Sequence, residues 1–336
     1  MAKLAINGFG RIGRGILRAM AEREVRDLSV VAVNDLAPLD RLSHLLAFDS
    51  VHGRYRGPMR VTNTTLDLGF GPIRFTQQRD PAQLGWDEVD LVLECTGAMN
   101  SRMDAHRHID GGAPRVLVSG PCADADRTVV LGVNDDAVSD VDRVISNASC
   151  TTNCLAPVVK VLDAAFGLET GDMTTVHCYT NSQPLSDQPL EDPYRGRAAA
   201  LSMIPTTTSA IALTEAAMPH LAGKLSGSAI RVPTPNVSCI ELKFTAHKPL
   251  NVAAINDAMI AASMAEMAGI IEVTDLPLVS SDHIHASASA IFAAEQTRVT
   301  GGMGRVLAWY DNEWGFANRM IDMARVLLHP KDTSTA

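Results

Sequence analysis

A glycine-rich stretch near the start of the chain decides the fold: Gly8-Phe9-Gly10-Arg11-Ile12-Gly13. The apolar run over residues 3–7 predicts a buried strand before it, and the spacing of apolar residues over 16–20 predicts a helix after it. Gly8 permits a tight turn, Gly10 lets the backbone approach a pyrophosphate, and Gly13 lets the helix lie close to the strand. This strand–turn–helix pattern is typical of a dinucleotide-binding unit.

An acidic residue at the end of the next strand specifies the dinucleotide. The apolar run over 28–33 predicts this strand, and Asp35 follows it, 22 residues after Gly13. A carboxylate in this place accepts hydrogen bonds from the ribose hydroxyls and repels a 2′-phosphate, so the pattern favours NAD over NADP. Arg11 pairs either with the pyrophosphate or with an acidic neighbour, and the sequence leaves both interpretations open.

The order of strands and helices changes near Cys150. Before it, further strands are predicted over 89–94, 115–119, 129–132 and 143–146, with helices over 39–46 and 101–109. This alternation predicts an α/β fold with a Rossmann-type, doubly wound parallel sheet over residues 1–149. After it come predicted helices over 151–166, 208–218, 251–267 and 315–328, and strands over 173–179, 230–232, 237–247 and 306–310. Residues 150–314 are therefore expected to form an α+β domain with a mostly antiparallel sheet.

The composition excludes several classes of protein. The 336 residues carry 29 Lys and Arg against 38 Asp and Glu, a formal net charge of −9, which argues against nucleic acid as the main partner. No apolar run is long enough for a membrane span. The six cysteines lack metal-ligand spacing, and no secretory leader precedes residue 10. We therefore expect free thiols, no metal and a cytoplasmic location.

A cysteine at the start of a predicted helix is the candidate nucleophile. Ser149 suits the N-cap position and places Cys150 in the first turn, where the helix dipole favours a thiolate of lowered pKa. His177, on a predicted strand, is the candidate acid–base partner. The alternatives are a small buried residue at a helix start and a hydrogen-bonded core histidine.

Arginines and hydroxyl-rich turns indicate anion binding. Arg195, Arg231 and the stretch Thr206–Ser209 combine guanidinium groups with hydroxyls before a predicted helix. Guanidinium forks match phosphate oxygens, so this set suits phosphate recognition. Solvated or ion-paired side chains remain the alternative for each arginine.

Four motifs, in order along nearly the whole chain, resemble the phosphorylating glyceraldehyde-3-phosphate dehydrogenase family. They are Ile6-Asn7-Gly8-Phe9-Gly10-Arg11-Ile12-Gly13-Arg14, Ser149-Cys150-Thr151-Thr152-Asn153-Cys154, Arg231-Val232-Pro233-Thr234-Pro235-Asn236 and Trp309-Tyr310-Asp311-Asn312-Glu313-Trp314-Gly315. The resemblance implies a cytoplasmic homotetramer whose last helix, 315–336, returns to the NAD-binding domain 1–149, with a catalytic domain over 150–314. It also implies a small phosphorylated aldehyde and inorganic phosphate as substrates.

The resemblance assigns roles to individual residues. It implies Cys150 as the nucleophile and His177 as its activator. The positions that match NAD contacts are Gly8, Gly10, Arg11, Ile12, Gly13, Asp35, Arg79, Ser119 and Asn312, with Asn312 facing the nicotinamide. The positions that match the two phosphate sites are Ser149, Thr151, Thr180, Arg195, Thr208, Ser209 and Arg231. The implied chemistry passes through a hemithioacetal and a thioester on Cys150 to an acyl phosphate.

Several positions depart from the family pattern and keep alternatives open, among them Gly120 and Cys122 in a loop beside Ser119. Ser209 stands where Gly is usual, and it would be strained if the backbone there needs a positive φ. Ser182 stands in place of Asp, and Met99 in place of Phe. The alternative activities are those of erythrose-4-phosphate dehydrogenase, in which water releases the acid, and of a non-catalytic NAD-binding protein.

Overall fold

The computed structural model describes residues 1–328, and contacts divide the chain into two compact units. The first unit comprises Met1–Ala148 with the described residues from Ala317 onward, and the second comprises Ser149–Phe316. The helix expected over 315–336 begins at Trp314 and is described as far as Leu328. The rest of that prediction, over 329–336, lies outside the described residues.

The first unit is built on parallel strands with helices between them. Its strands are β1 (Ala2–Asn7), β2 (Leu28–Asn34), β3 (Phe48–Asp49), β4 (Gly53–Arg54), β5 (Arg60–Val61), β6 (Thr65–Asp67), β7 (Ile73–Thr76), β8 (Leu91–Glu94), β9 (Val116–Val118), β10 (Arg127–Thr128) and β11 (Val144–Ser146). Its helices before residue 149 are α1 (Arg11–Glu22), α2 (Leu39–Ala47) and α3 (Arg102–Asp110). β3 and β4 pair only with each other.

The nine-stranded sheet of this unit has the order β10-β11-β9-β8-β1-β2-β7-β6-β5. The strands from β10 to β7 are parallel, and β6 and β5 extend the edge in antiparallel pairs. The chain proceeds from β1 to β2 on one side and later to β8 on the other, which makes the carboxyl end of β1 the topological switch point where α/β sheets bind ligands. The predicted Rossmann-type sheet is thereby confirmed.

One predicted strand is wrong. The apolar run Val129–Gly132 is not a strand; the short strand β10 precedes it at Arg127–Thr128. Val129 and Val130 are fully buried but enter a turn, in which Asn134 Oδ1 accepts from the Val130 N–H at 2.9 Å. A short apolar run signals burial equally well in a strand and in a turn.

The second unit contains a mixed sheet and the helix that carries Cys150. Its strands are β12 (Leu168–Cys178), β13 (Ile204–Thr206), β14 (Leu225–Val232), β15 (Ser238–Ala246), β16 (Ile271–Thr274), β17 (Ala290–Ala293), β18 (Arg298–Thr300) and β19 (Met303–Tyr310). The remaining helices of the chain are α4 (Cys150–Phe166), α5 (Ala210–Ala217), α6 (Val252–Met264) and α7 (Trp314–Leu328). No helix within residues 1–328 is both long and apolar enough to cross a membrane.

The sheet of the second unit has the order β13-β14-β12-β15-β19-β17-β16, with β18 added against β19. Only the β12–β14 and β16–β17 pairs are parallel, so the expected mostly antiparallel sheet is confirmed. The parallel β12–β14 pair sets His177 directly opposite Arg231. The α4 helix ends at Gly167, whose φ of 70° turns the chain into β12.

Candidate active site

The nucleophile candidate occupies the first residue of α4. The Ser149 hydroxyl accepts a hydrogen bond from the Thr152 N–H at 3.1 Å, as an N-cap does, and it lies 2.7 Å from the Thr152 hydroxyl. Cys150 is half-buried at the positive end of the helix. The predicted cap therefore forms, and it fixes the backbone that presents the thiol.

His177 faces this thiol from the end of β12. Its Nε2 lies 3.6 Å from Cys150 Sγ, and the ring is 5% exposed. Its Nδ1 lies 2.7 Å from the Cys178 carbonyl oxygen and 2.9 Å from Arg231 Nη1. Arg231 Nη1 also donates to the Cys178 carbonyl oxygen at 2.9 Å. In the tautomer whose proton is on Nδ1, that proton is donated to the Cys178 oxygen and the Nε2 lone pair faces the thiol, which is the state in which His177 acts as its base.

Burial and charge keep both groups neutral before substrate binds. Burial, together with the positive charge of Arg231, lowers the pKa of His177 to about 3. Burial also raises the pKa of the Cys150 thiol, although Arg231 and hydrogen bonds at Thr151 oppose that rise. The expectation of a lowered thiol pKa is therefore wrong, because desolvation outweighs the helix dipole here.

A chain of buried hydroxyls supports the two reactive residues. Thr151 Oγ1 lies 2.8 Å from the Tyr310 hydroxyl, which lies 2.9 Å from Thr175 Oγ1, and Thr175 donates to the Cys239 carbonyl oxygen. The Tyr310 ring also meets the His177 ring edge to face, with centroids 5.9 Å apart. The Thr151 hydroxyl is thus engaged within the protein, and its contact with phosphate stays a prediction.

Hydrogen bonds hold both Asn312 and its neighbour Asp311. The Cys178 thiol donates to Asn312 Oδ1 at 3.1 Å, which turns the amide nitrogen away from Cys178. The neighbouring Asp311 carboxylate accepts from the Trp314 N–H at 2.8 Å and from Asn236 Nδ2 at 2.9 Å. Sequence spacing does not single out Cys178 or Asp311, because a thiol after the histidine and an acid before the asparagine match no motif of their own.

The predicted phosphate residues include one hydroxyl–guanidinium cluster. Thr180 Oγ1 lies 3.0 Å from Ser182 Oγ, which accepts from Arg195 Nη2 at 2.9 Å. Ser182, which the sequence marks only as a departure from the family pattern, lies between two predicted phosphate residues, Thr180 and Arg195.

The Thr208–Ser209 step is unstrained. Ser209 is the N-cap of α5 with φ −82°, and its side chain makes no capping bond. Thr208 Oγ1 accepts from the Ala210 N–H at 3.1 Å. A serine in place of glycine therefore has no strain cost here, because the backbone is in the right-handed region.

Gly8, Gly10 and Gly13 leave the start of α1 open to a ligand. A Cβ at Gly8 would lie 2.6 Å from the Thr96 nitrogen, and one at Gly13 would lie 2.2 Å from the Gly8 carbonyl oxygen. A Cβ at Gly10 would meet nothing within 4 Å. Gly8 and Gly13 thus bring backbone together, while Gly10 borders free space in front of the helix N-terminus. This cradle fits a dinucleotide pyrophosphate.

Asp35 and Arg79 line the cleft beside this helix start, which encloses about 320 Å³. Asp35 Oδ2 accepts from the Phe9 N–H at 2.7 Å and Oδ1 from the Ala37 N–H at 2.9 Å, so the carboxylate is fixed at the end of β2. Met99 also lines the cleft. Ser119 follows β9, donates its N–H to the Glu94 carbonyl oxygen at 2.9 Å and lies outside the cleft lining.

Arg11 pairs with an acidic neighbour, one of the two partners left open by the sequence. Its Nη1 donates to Asp49 Oδ2. Burial alone would raise the pKa of Asp49, but the Arg11 hydrogen bond and backbone N–H groups of Val51 and His52 lower it to about 2. Ile12 follows as the second residue of α1 and is half-buried.

A buried polar network that the sequence did not reveal lies beneath the cleft. Glu94 Oε2 accepts from Asn7 Nδ2 at 2.6 Å and lies 2.9 Å from His108 Nε2, while Trp86 Nε1 donates to His108 Nδ1 at 2.9 Å. The Trp86 bond fixes the proton of His108 on Nε2, where it donates to Glu94. Glu94 Oε1 accepts from the N–H of Thr96, a residue of the cleft wall, at 2.7 Å.

Comparison with known proteins agrees with this geometry. The family described as "Glyceraldehyde 3-phosphate dehydrogenase, NAD binding domain" matches residues 2–102, and the one described as "Glyceraldehyde 3-phosphate dehydrogenase, C-terminal domain" matches residues 149–312. The glyceraldehyde-3-phosphate dehydrogenase of Xanthobacter flavus is 54% identical over 325 residues, which cover 96% of this chain and 97% of that protein.

Two other relatives are similar to this chain over nearly the same length. The glyceraldehyde-3-phosphate dehydrogenases of Cereibacter sphaeroides and Geobacillus stearothermophilus are 50% identical over 323 residues and 46% identical over 326 residues, and each alignment covers 96% of this chain and 97% of the relative. Similarity of this degree over nearly the full length establishes common ancestry and a shared cofactor, NAD. The chain belongs to the glyceraldehyde-3-phosphate dehydrogenase family of NAD-dependent oxidoreductases.

Proposed function

We propose that the chain catalyses the NAD-dependent oxidative phosphorylation of glyceraldehyde 3-phosphate to 1,3-bisphosphoglycerate. The observation that carries this proposal is the approach of Cys150 Sγ to within 3.6 Å of His177 Nε2, with the Nδ1 side of the ring held at the Cys178 carbonyl. A thiol at a helix start beside an oriented imidazole is the arrangement that nucleophilic catalysis by cysteine requires.

The first step is addition of the Cys150 thiol to the aldehyde. The S–C bond forms while the thiol proton passes through His177 to the carbonyl oxygen, which gives a neutral hemithioacetal. A neutral thiol and a neutral imidazole suit this addition, because no charge has to be buried before the substrate arrives. The N–H of Cys150 at the helix start and the His177 ring stabilise the oxygen as charge develops on it.

Oxidation and phosphorolysis complete the reaction. Bound NAD supplies the acceptor for a hydride. As the hydride leaves the hemithioacetal carbon, His177 takes the hydroxyl proton, and the product on Cys150 is a thioester. Inorganic phosphate then attacks the thioester carbon, the C–S bond breaks, and Cys150 is restored as a thiol by the proton that His177 holds, while the proton of the attacking phosphate goes to solvent. Overall, one aldehyde and one phosphate become an acyl phosphate with one hydride and one proton released.

The binding residues divide between the two units. In the first, Gly8, Gly10 and Gly13 bring the start of α1 to the pyrophosphate, and Asp35 and Arg79 line the neighbouring cleft. In the second, the remaining residues inferred from the family pattern act on the nicotinamide or on phosphate. They are Asn312 for the nicotinamide and Ser149, Thr151, Thr180, Arg195, Thr208, Ser209 and Arg231 for phosphate.

A homotetramer in the cytoplasm is part of the proposal. Leu185, Leu201 and Met203, in one segment of the second unit, are 77%, 83% and 76% exposed. Large apolar side chains exposed along one segment favour burial against another subunit. The six cysteines all lie within residues 1–328 and are all free thiols, which suits a reducing compartment. Light scattering on the purified protein tests the tetramer.

The activity test follows NADH formation from NAD and glyceraldehyde 3-phosphate with and without inorganic phosphate, with erythrose 4-phosphate measured in parallel. Phosphate-dependent turnover of the triose is expected. Faster, phosphate-independent turnover of the tetrose would indicate the hydrolytic activity of erythrose-4-phosphate dehydrogenase instead. Cys150→Ser should abolish turnover and leave NAD binding intact, and residual turnover at the wild-type rate would remove Cys150 from the mechanism.

A further inference from the structure

A chain of side-chain hydrogen bonds crosses the carboxyl edge of the parallel sheet in the first unit. The strand register places Glu94 of β8 beside Asn7 of β1, and Asn7 beside Asn34 of β2. Asn7 Nδ2 donates to Glu94 Oε2 at 2.6 Å, and Asn34 Nδ2 donates to Asn7 Oδ1 at 2.7 Å. The N–H of Gln78, just after β7, donates to Asn34 Oδ1 at 2.8 Å. The ends of four neighbouring strands, in the order β8-β1-β2-β7, are thus joined by this chain.

The direction of the chain is fixed at both of its ends. At one end the backbone of Gln78 sets the amide of Asn34, because its N–H donates to Asn34 Oδ1 and its carbonyl oxygen accepts from Asn34 Nδ2 at 2.9 Å. At the other end Trp86 donates to His108 Nδ1, so the proton of His108 is on Nε2 and points to Glu94. Every bond along the chain therefore donates toward Glu94, whose carboxylate is the terminal acceptor.

The Glu94 carboxylate is filled by donors. Its Oε2 accepts from Asn7 and His108, and its Oε1 accepts from the N–H of Thr96 at 2.7 Å and from the Thr96 hydroxyl. These bonds occupy the lone pairs of both oxygens, and all of them come from uncharged groups. Glu94 is only 1% exposed, so its negative charge is stabilised only while each of these donors points at it.

We propose that Glu94 is a positioning residue for NAD: the direction that its carboxylate imposes on the chain orients the polar groups of the cleft that takes the adenosine half of the cofactor. The cleft is lined by members of the chain and by their neighbours in sequence, namely Asn7, Asn34, Asp35, Gln78, Arg79 and Thr96. Asp35 directly follows Asn34, and Arg79 directly follows Gln78, so the chain also holds the backbone on either side of the ribose position. Glu94 itself is buried behind this lining and acts through its neighbours.

An amide at position 94 would break the direction of the chain. If the side chain of Glu94→Gln keeps its oxygen at Thr96, its nitrogen faces the donors of Asn7 and His108. If it turns round, its nitrogen faces the N–H of Thr96. In either orientation a buried donor loses its acceptor, and the cleft has to be reordered when the cofactor binds.

A second change restores the direction. In Glu94→Gln/Asn7→Asp the amide nitrogen at position 94 donates to the carboxylate at position 7, which still accepts from Asn34. Asn7 Nδ2 lies 3.3 Å from His108 Nε2, so an oxygen in its place also accepts the proton of His108. The negative charge thereby moves by one residue, and the bond from Gln78 keeps its direction. Asn7→Asp alone sets two carboxylates against each other and should be the most severe variant.

The experiment measures the Kd of NAD and of ADP-ribose, which lacks the nicotinamide, by calorimetric titration of each purified protein. Glu94→Gln should raise both Kd values about tenfold. Glu94→Gln/Asn7→Asp should bring both values to within about threefold of the wild type. No measurement here uses turnover, so the result does not depend on which aldehyde the protein oxidises.

Two further variants serve as controls. Asp142→Asn removes a buried acceptor for Arg127 and Ser139 in the same unit, outside the cleft lining, and it should lower the urea midpoint without changing either Kd. Trp86→Phe removes only the donor that fixes the His108 proton, and it should raise both Kd values about threefold. Trp86→Phe carries the test if Glu94→Gln does not fold.

Three results would overturn the proposal. In the first, Glu94→Gln lowers the urea midpoint while both Kd values stay within about twofold of the wild type, as expected of a residue that only stabilises the fold. In the second, Glu94→Gln/Asn7→Asp binds NAD no better than Glu94→Gln, so that the direction of the chain has no effect on binding. In the third, the loss is confined to NAD and leaves ADP-ribose unaffected, which would place the effect at the nicotinamide instead of in this cleft.

Discussion

The cap of the catalytic helix offers the most direct test of how the structure presents its nucleophile. Ser149 Oγ is the acceptor for the Thr152 N–H and the neighbour of the Thr152 hydroxyl at 2.7 Å, and Thr152 is fully buried. Ser149→Ala removes both partners at once. We expect it to destabilise the second unit and to loosen the first turn of α4, on which Cys150 lies.

The size of the effect follows from these two bonds. Loss of an N-cap side chain costs about 1 kcal/mol, within a range of roughly 0.5–2. A buried hydroxyl that loses its partner adds a cost of about 1 kcal/mol. The free energy of unfolding should therefore fall by about 2 kcal/mol, which corresponds to a shift of about 1 M in the urea midpoint for a typical dependence on denaturant.

The assay combines unfolding with kinetics. Urea unfolding is followed by tryptophan fluorescence, to which Trp309 and Trp314 of the second unit and Trp86 of the first all contribute, and KM for inorganic phosphate is measured in parallel. Ser149→Asn and Ser149→Asp both restore a capping acceptor, so both should recover most of the stability. Only Ser149→Asp brings a negative charge to the predicted phosphate site, so it alone should raise the phosphate KM well above that of Ser149→Asn.

Two results would refute this reasoning. If Ser149→Ala unfolds at the wild-type urea concentration, the cap contributes nothing to α4. If Ser149→Asp binds phosphate as well as Ser149→Asn, position 149 does not contact the anion.

Three other changes test separate features. Asp49→Asn should lower the free energy of unfolding by about 1–2 kcal/mol at pH 7. This energy corresponds to the fall in the pKa of Asp49 from 3.8 to about 2, reduced because the Arg11 side chain is a quarter exposed to solvent. Because the folded pKa of about 2 lies below the ordinary 3.8, the stabilisation by Asp49 is complete above about pH 4 and disappears as pH falls through 2. If Asp49→Asn destabilised the protein as much at pH 2 as at pH 7, this account would be contradicted. Ser209→Gly relieves no strain at φ −82° and, at an N-cap whose side chain makes no capping bond, should cost only a few tenths of a kcal/mol without tightening phosphate binding. A lower KM for phosphate would contradict the absence of strain at Ser209. Asp35→Gly should reduce the NAD-to-NADP ratio of kcat/KM about tenfold, and an unchanged ratio would exclude Asp35 from cofactor selection.

The pattern of neighbouring residues was enough to predict the helices and strands on which the cofactor-binding and catalytic residues lie. The Gly8–Gly13 turn, the Ser149 cap and the strand of His177 each follow from neighbouring residues, and the structure contains all three. The sign of the Cys150 pKa shift could not be obtained in this way. The helix dipole belongs to residues adjacent in sequence, whereas desolvation depends on every element packed around the thiol.

Contacts between distant residues account for the other omissions. Tyr310 meets Thr151 across 159 residues, and Glu94 meets Asn7 across 87. Neither residue has a spacing that distinguishes it from ordinary strand residues. Arg195 donates to the Ser182 hydroxyl across 13 residues, a contact that no local pattern predicts.

The pairing of β12 with β14 restricts how this catalytic centre is able to diverge. His177 and Arg231 are opposite each other on parallel strands, and a shift of either strand by one residue would turn one of the two side chains to the other face of the sheet. The base and the cation beside it are therefore inherited as a unit, and no insertion within these strands adjusts one without the other. A change of substrate preference is expected instead in the turns that follow the two strands, because a change in the length of a turn leaves the register of β12 and β14 intact.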